Sequence, residues 1–489
     1  MFKERHSSQS EMILHSMEEL VPSDHLLRKI RKHIDFSFIN PLFKDLYCLD
    51  NGRNCVEPEL LMKMVFLQHL FGIKSFRQTC QEIEVNVAYR WFLDLPFSER
   101  VPHHSTLSQN IRRRFLETNL FEVVFDEILK QAIKKRLITA DAFFTDSTHI
   151  KANANKRKSE ILIQRETKRR REQLEQEINQ ARSEIGKKEF KFEDEVSRKE
   201  IKTSTTDPES GYYHRSHKEE GFMYLDHRTV DGAHNMIVDA SITKGNVHDS
   251  QPYLERFEVI ESTYQLRPKQ VGLDSGYSSY EIIEGLESKG IFGVIGYRRF
   301  NRSKEMKELK RQFTYDQDKD FWVCPVGIVF PLRNIDKLGY KVYHKKENCR
   351  GCPLAQQCLQ GKDKIEIRQH LKQDAYERNR QRRLSSEGKK LYSKRKETIE
   401  RSFAESKQNH GYRYATYRGL KKVQANTWMS CAAQNMKKMS LALERRENFE
   451  EFSSLLTLFS ELILKIVRFT SRTNKIKSWL VFEPTLSTL

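Results

Sequence analysis

The first 135 residues place apolar side chains at helical spacing. In PSDHLLRKIRKHI they recur every three to four positions behind a candidate cap at Ser23 or Asp24. EPELLMKMVFLQHLFGI begins with Pro58 at a first-turn position and is strongly apolar, which favours a core helix. Residues 1–135 are therefore predicted to form an all-helical region.

Residues 140–300 change to short runs rich in aromatic and β-branched side chains, which is typical of strands. These runs are FFTDSTHIKA, GFMYLDHRTVDG, NMIVDASITKG and KQVGLDSGYSS. The segment SSYEIIEGLESKG, between the last of them and FGVIGYRR, has the pattern of a helix. The alternation of strands and helices predicts an α/β fold with a mixed sheet flanked by helices.

A highly charged block interrupts this region at residues 156–202. Four apolar residues in it keep the four-three-four spacing of a helix seam. They are Leu174, Ile178, Ala181 and Ile185. Gly186 then suits the turn of a helical hairpin. The block is predicted to be a charged helical hairpin that either contacts DNA or forms a solvated helix pair.

The 489-residue chain carries a formal charge of +19, and the excess is spread along its length. Because neutralising phosphates releases counterions, this charge favours a polyanion over a membrane surface as the partner. An ordinary basic protein is the alternative. The start of the chain lacks the apolar run of a signal peptide, and the late apolar segment 455–469 is too short and too charged to span a bilayer. We therefore expect a cytoplasmic protein with no membrane partner.

Three acidic residues stand out because of their surroundings. Asp146 lies within the first strand-like run, Asp274 ends the apolar strand VGLD, and Glu400 shares a helix face with Phe403 and Lys407. A carboxylate in an apolar run is costly unless it is paired or bound to a metal, although a strand-end Asp can also face water. Hard divalent ions prefer oxygen ligands, and two such ions can clamp the attacking and leaving oxygens of a phosphoryl displacement. The three acids are a candidate metal site.

The motifs around these acids resemble those of bacterial insertion-sequence transposases of the DDE superfamily, and the resemblance runs from about Pro22 to Lys438. DSTHIKANANK resembles the first acidic motif, VGLDSGYSS the second and ERSFAESK the third. NGRNCVEPELLMKMVFLQHLFGIKSFRQ and HHSTLSQNIRRR resemble the helical domain that precedes catalysis in this group. The resemblance implies an RNase H-like catalytic domain over residues 140–448 behind a helical DNA-binding domain, residues 1–135.

By this resemblance, Asp146, Asp274 and Glu400 are catalytic and ligate two Mg²⁺ or Mn²⁺ ions. The reaction implied is metal-dependent strand cleavage and strand transfer at the terminal inverted repeats of an insertion sequence. Asp249 is a rival acid, although we expect it to cap a helix that begins at Ser250. A catalytically decayed or repurposed transposase that only binds DNA is the alternative function.

The resemblance also implies the partners, which are double-stranded DNA, as transposon ends and target, and further copies of the chain in a homodimer or higher synaptic complex. In a bacterial cytoplasm the bound protein would be nucleoid-associated. Related transposases surround their Glu with a Tyr, an Arg and a Lys, which Tyr392, Arg395 and Lys407 match, while Lys396 stands at the commoner position of the Arg. Other candidate DNA contacts are Arg112, Arg113 and Arg114 behind an expected cap at Ser105, together with Arg413, Arg418 and the basic residues of 378–390.

Four of the eight cysteines group in the sequence as Cys324, Cys349, Cys352 and Cys358. CRGCPLAQQC supplies three of them, and WVCPVG places the fourth on an expected hairpin. In a cytosolic protein such spacing favours metal binding over disulfides, and tetrahedral Zn²⁺ accepts four thiolates. Reduced cysteines without metal are the alternative. We predict a zinc-binding, zinc-ribbon-like insertion over residues 310–365, and an amphipathic tail over residues 449–489.

Overall fold

The N-terminal region is helical, as its hydrophobic spacing predicts. In this computed structural model the described residues are 14–48, 54–167, 172–192, 196–214, 219–297, 312–344, 349, 351–359 and 365–472. The helices of the N-terminal region are α1 (Met17–Leu20), α2 (Leu26–His33), α3 (Ile39–Phe43), α4 (Pro58–Leu70), α5 (Phe76–Val85), α6 (Val87–Phe92), α7 (His104–Asn110) and α8 (Leu120–Lys134). A turn of π-helix, Ile111–Phe115, separates α7 from α8. Pro58 opens α4 and residues 61–70 are all buried, so the predicted core helix is confirmed.

Two helix caps differ from the prediction. α2 is capped by His25, whose Nδ1 accepts a backbone N–H two residues further on at 3.2 Å, and not by Ser23 or Asp24. α7 is capped in the same way by His103, which accepts from the backbone N–H of Ser105, so the predicted cap at Ser105 is wrong. A neutral imidazole has one acceptor nitrogen, which can replace the side-chain oxygen preferred at this position.

A mixed sheet forms the centre of the following region, and the four predicted strands are all present in it. The strands of this region are β1 (Ala142–Lys151), β2 (Ser159–Thr167), β3 (Val196–Ser204), β4 (Gly211–Tyr213), β5 (Gly221–Asp231), β6 (Ile237–Lys244), β7 (Gln270–Leu273) and β8 (Phe292–Ile295). β5 pairs antiparallel with β1 on one side and with β4 and β6 on the other. β7 and β8 continue the sheet in parallel beyond β1. Every residue of β5 is buried, which places this strand in the interior of the fold.

Eight more helices follow in the described part of the chain, and several of them pack on the sheet. They are α9 (Glu172–Glu184), α10 (Tyr253–Tyr264), α11 (Tyr280–Ser288), α12 (Ala355–Leu359), α13 (Gln373–Leu384), α14 (Ser386–Ser393), α15 (Ile399–Asn409) and α16 (Leu420–Arg472). α16 packs on β6 and also on α2, α4 and α8. One hydrophobic core therefore extends from the N-terminal helices, through Ala432 and Met436 of α16, to Phe143 and Val238 of the sheet. The predicted mixed α/β fold with a helical N-terminal region is confirmed.

The insertion at residues 156–202 is a β-ribbon that carries one helix, and the predicted helical hairpin is wrong. β2 and β3, of nine residues each, pair antiparallel along their whole length. α9 lies between them in sequence, and Gly186, with a φ of +66°, follows its end. The predicted apolar seam is nevertheless buried, because Leu174 and Ile178 pack against Ile335 of a second, smaller sheet. Since α9 finds its partner there, it needs no second helix beside it.

This smaller sheet forms the cysteine-rich segment. Its strands are β9 (Thr314–Asp316), β10 (Phe321–Val323), β11 (Val329–Ile335), β12 (Tyr340–Tyr343) and β13 (Ile367–His370), which pair in the order β13-β12-β11-β10-β9. Cys324 lies between β10 and β11, so the predicted hairpin is confirmed. Phe330, Tyr343 and Cys349 form the centre of a separate small core. The segment therefore packs as a unit of its own.

The last helix, α16, continues past the residues that pack on the rest of the chain, and residues 449–461 of it are exposed. The predicted amphipathic tail begins inside α16, whose described part ends at Arg472, and residues 473–489 lie outside the described residues. None of the described helices combines the length and the hydropathy needed to cross a membrane.

Candidate active site

The Asp146 side chain lies in β1 and is ion-paired. The three residues before it are buried, while the Asp146 side chain keeps 21% of its surface exposed. Its Oδ2 accepts from Nη2 of Arg395 at 2.7 Å, and its Oδ1 accepts from the Ser147 amide at 2.8 Å. Of the two interpretations of this strand Asp, the structure shows the paired carboxylate.

Asp274 lies beside Asp146 because their strands run parallel. The residues that precede the two aspartates are opposite each other in the β1–β7 pair, so Asp146, midway along β1, lies level with Asp274, which follows the end of β7. Oδ1 of Asp274 lies 3.5 Å from Nη1 of Arg395 and accepts from the Tyr392 hydroxyl at 3.3 Å. The carboxyl ends of parallel strands are where ligand sites gather.

Arg395 joins the two aspartates. It lies in the 3-10 turn Lys394–Lys396 behind α14 and is 4% exposed. Its Nη1 also donates to the Tyr392 hydroxyl at 3.3 Å. Lys396 is exposed. The sequence left open whether Arg395 or Lys396 takes the position of the Arg. In the structure, Arg395 contacts the aspartates.

The acidic cluster is only partly neutralised by this guanidinium. Burial raises the pKa of Asp146 from 3.8 to about 6. Arg395 opposes that shift, whereas the negative charges of Asp274 and Asp249 add to it. A carboxyl whose pKa is raised by burial and by other carboxylates gains from a further cation, and such groups cluster at functional sites.

Asp249 is part of the same cluster, and its predicted role as a helix cap is wrong. Its Oδ1 accepts from the Ser147 hydroxyl at 2.6 Å, next to Asp146 on β1. The following helix, α10, begins later, with Pro252 at its N-cap. A side chain on Gly276 would meet Oδ2 of Asp249 at 2.9 Å, so this glycine lets the carboxylate approach the Asp274 turn. Asp249 is thus a neighbour of both aspartates.

Glu400 lies in the first turn of α15, and its side chain is exposed. Further along α15, Nζ of Lys407 donates to Oγ1 of Thr148 at 2.5 Å. Because Thr148 is two residues beyond Asp146 in β1, both point to the same face of the sheet. α15 therefore lies over the face that carries Asp146.

The three predicted catalytic acids do not form a closed cluster of ligand atoms. Among the described residues, the group of three ligand atoms that lie within 4.8 Å of one another belongs to His33, Glu444 and Glu447, between α2 and α16. Lys32 already pairs with Glu447 there at 2.5 Å, so this group is a salt-bridge network around an ammonium. Arg395 pairs with both Asp146 and Asp274.

Sequence reasoning missed the buried ion pair that fixes α15 on the sheet. Arg228 and Asp226 of β5 have fully buried side chains, and Nη2 of Arg228 donates to Oδ2 of Asp226 at 2.7 Å. Nη1 of Arg228 donates to the hydroxyls of Ser402 at 3.2 Å and Ser406 at 2.8 Å, both on α15. The sequence DHR within β5 indicated this pair, because an Asp and an Arg two positions apart in a strand lie on the same face of the sheet.

Five of the arginines predicted to contact DNA are exposed. They are Arg112, Arg113, Arg114, Arg413 and Arg418. Two of them also contact neighbours within the chain: the Arg114 guanidinium lies 4.7 Å from the centre of the Tyr47 ring, and Nε of Arg418 donates to the Asn153 carbonyl at 2.8 Å. Their exposure leaves the remaining donors available to a ligand.

The four grouped cysteines meet at one end of the small sheet. Cys349 is buried, and the thiols of Cys324, Cys352 and Cys358 are half-buried. Burial raises the pKa of Cys358, and the three other thiols add to this shift, which reflects their closeness. In the described part of the chain, no three of these sulfurs lie within 4.8 Å of one another. The structure therefore brings the thiols near each other without a closed tetrahedral arrangement.

Two family models match the chain. The model described as "Transposase domain (DUF772)" matches residues 15–113, and the model described as "Transposase DDE domain" matches residues 323–440. The first covers the N-terminal helices, and the second covers the cysteine-rich segment together with Arg395, α15 and the first part of α16. Comparison with curated proteins gives no significant match.

Solved transposase structures resemble the chain only distantly. The piggyBac transposase synaptic complex with hairpin DNA is 9% identical, with a TM-score of 0.31, over 86% of this chain and 79% of that one. The Mos1 transposase paired-end complex with the left transposon end is 8% identical, with a TM-score of 0.16, over 54% of this chain and 74% of that one.

Proposed function

Because the chain belongs to the insertion-sequence transposases of the DDE type, we propose that it binds the terminal inverted repeats of its element and catalyses metal-dependent DNA strand cleavage and strand transfer. The observation that carries the proposal is the pair of carboxylates, Asp146 and Asp274, held side by side at the edge of the sheet by one buried guanidinium. The sheet, with antiparallel strands on one side of β1 and parallel strands on the other, supports an RNase H-like catalytic domain.

The donor set at this edge fits hard divalent ions. Asp146, Asp274 and the neighbouring Asp249 offer carboxylate oxygens, which Mg²⁺ and Mn²⁺ prefer. Arg395 shows that a cation is stable between the first two. When bound, two such ions would polarise the scissile phosphate and activate the attacking water or 3′ hydroxyl. Asp146 and Asp274 would hold them, and Glu400 would complete the set from α15.

The residues around the acids have separate roles in this proposal. The Tyr392 hydroxyl and the Arg395 guanidinium hold the two carboxylates in place before substrate binds. Lys407, on the same face of β1, offers an ammonium to a phosphate oxygen of the DNA backbone. Exposed arginines on the π-turn and in residues 413–418 contact further phosphates and set the register of the duplex.

The test is cleavage of DNA that carries the element's own ends, in Mg²⁺ or Mn²⁺. We expect Asp146→Asn, Asp274→Asn and Glu400→Gln each to reduce cleavage to the background level while DNA binding persists. Glu397→Gln, at an exposed acid one turn before Glu400, is the matched control and should cleave normally. Normal cleavage by Asp274→Asn would contradict the metal role.

One observation favours the second candidate function, a DNA-binding protein without cleavage activity. In the described part of the chain, Asp146, Asp274 and Glu400 do not bring three ligand atoms within 4.8 Å of one another. If the wild-type chain binds its ends tightly but cleaves no better than Asp274→Asn, the protein acts by occupying the ends. Cleavage that ignores the inverted repeats would instead identify a sequence-independent nuclease.

We extend the proposal to the cysteine-rich segment, which would bind one structural Zn²⁺ through Cys324, Cys349, Cys352 and Cys358. Their gathering at one end of a small sheet supports this assignment, because a metal can stabilise a segment with little core of its own. Metal analysis of the purified chain should find zinc, and Cys352→Ser should lose it. Cys55→Ser, at an exposed cysteine elsewhere, is the matched control and should keep its zinc.

A further inference from the structure

The distal part of α16 carries an apolar stripe that the rest of the chain does not cover. We call residues 449–466 the distal segment. Up to Leu443 the helix packs on the body, and Glu444 and Glu447 still reach Lys32 and His33 of α2. Beyond this contact, all residues from 449 to 461 are exposed. Six of them are large apolar residues, and four of these form the stripe: Phe449, Phe452, Leu456 and Phe459, with 71%, 59%, 53% and 61% of their surface exposed. The other two, Leu455 and Leu458, flank the stripe with 57% and 62% exposed.

The spacing of this stripe is that of a coiled coil. The four residues follow each other in steps of three, four and three, and the sequence continues the repeat with Ile463 and Ile466. A seam that repeats every 3.5 residues stays on one side of a helix only if that helix winds around another one. The stripe therefore fits a second helix better than a flat surface.

The charges of residues 449–461, the first part of the distal segment, disfavour the anionic partners that the rest of the chain attracts. Although the whole chain carries a charge of +19, residues 449–461 contain three Glu and neither Lys nor Arg. A helix that binds DNA or an anionic membrane needs cations beside its apolar or phosphate-facing side. The occupant of the stripe is therefore an apolar helix.

A second copy of the same segment satisfies both the spacing and the charge pattern. The segment begins with Glu450 and Glu451 and ends near Lys465 and Arg468. Antiparallel pairing places the acidic start of one helix beside the basic end of the other, and the two helix dipoles then also oppose each other. A heptad seam is complementary to itself, as a two-fold symmetric interface requires.

We propose that two chains associate through an antiparallel coiled coil of their distal segments, with Leu456 of one chain packed against Phe459 of the other at its centre. This inference does not rest on the proposed cleavage activity. The apolar stripe lies outside the acidic site. A coiled coil formed through it would connect two chains and so join two acidic sites in one dimer.

The first test is the mass of the full-length chain measured by light scattering over a range of concentrations without DNA. We expect a dimer for the wild type and a loss of association by at least about 30-fold for Phe459→Glu, as for a central interface anchor. Ser454→Glu adds the same charge on the opposite side of the helix and should dimerise normally. Because residue 459 makes no contact with the body, the melting temperature of the monomer should not change.

The second test fixes the direction of pairing. Under mild oxidation, a mixture of Leu456→Cys and Phe459→Cys chains with different tags should form mixed disulfides in preference to disulfides within each variant. Efficient linkage of each variant to itself would overturn the antiparallel arrangement. A wild-type chain that stays monomeric, or a dimer unaffected by Phe459→Glu, would overturn the proposal. So would a monomer that binds phosphatidylserine vesicles through Phe459, since the stripe would then face a membrane.

Discussion

Replacing Arg228 by Met would test whether the buried ion pair fixes α15 on the central sheet. The side chains of Arg228 and Asp226 are both fully buried, so neither charge has water as an alternative partner. Desolvation raises the pKa of Asp226, and the Arg228 guanidinium is the main group that lowers it. Without the guanidinium, the buried carboxyl would have to take up a proton or remain an unpaired charge.

The expected loss follows from these contacts. Removing one partner of a buried pair costs about 3–5 kcal/mol, because the other charge is left without compensation. The hydroxyls of Ser402 and Ser406 lose their donor in the same step. Replacing both charges, as Arg228→Met with Asp226→Leu, removes the unpaired charge and should restore much of the loss. The two substitutions should therefore couple by at least about 2 kcal/mol.

The assay is urea unfolding at pH 7.5, followed by circular dichroism, for the wild type, both single variants and the double variant. Arg267→Met is the control, because the Arg267 side chain is exposed and Glu261, 3.5 Å away, keeps Lys289 as a second partner, so the loss should cost less than about 1 kcal/mol. If Arg228→Met were no more destabilising than this control, or if the double variant were less stable than either single variant, the reasoning would be refuted. Cleavage by folded Arg228→Met should also fall, since α15 carries Glu400.

Three further predictions concern the acidic site, the DNA surface and the packing of β7. The pKa of Asp146 is about 6 in the folded state, against an ordinary value of 3.8. Between these two pH values the folded state binds more protons than the unfolded state. The metal-free protein should therefore lose about 3 kcal/mol of stability as the pH rises through this window. Melting temperatures in EDTA should show this slope for the wild type and not for Asp146→Asn. The logarithm of the affinity for DNA, measured by fluorescence anisotropy, should fall linearly with the logarithm of the salt concentration. Arg112→Ala should reduce the steepness of this slope by about 0.9. An unchanged slope would show that this arginine contacts no phosphate. Gly272→Ala should destabilise the fold by about 1–3 kcal/mol, since the new Cβ would lie 2.8 Å from the Phe144 ring, whereas Gly351→Ala, with open space around it, should melt like the wild type.

The central sheet could be predicted from the sequence because its most buried strand, β5, is covered on both faces. Runs such as GFMYLDHRTVDG contain many aromatic and β-branched residues, and tertiary burial and local preference agree there. The position of Asp274 directly behind its strand was also predicted correctly, since β7 ends at Leu273. What the strand pattern did not indicate was the cation between them, since Arg395 is 249 residues away from Asp146 along the chain.

The insertion could not be predicted from its periodicity. The α9 stripe was recognised correctly, but its partner is a separate sheet and not a neighbouring helix. β2 carries three consecutive apolar residues, Ile161, Leu162 and Ile163, that are largely exposed. Such a strand has no alternation between a core and a solvent face, so period alone does not distinguish it from a helix. The two histidine caps were missed for a related reason, because statistics for cap residues favour hydroxyl and carboxylate side chains.

The closed base of the β-ribbon has a consequence for how this scaffold can change. β2 leaves and β3 returns at neighbouring points, with Ser159 opposite Ser204 and the Thr205 amide donating to the Lys158 carbonyl at 3.1 Å. The pairing of β2 with β3 thus sets the distance between the start of β2 and the end of β3. This distance does not depend on how many residues lie between the two strands. Evolution can graft, lengthen or trim an appendage there while β1 and β5 keep their pairing and the two aspartates stay in place.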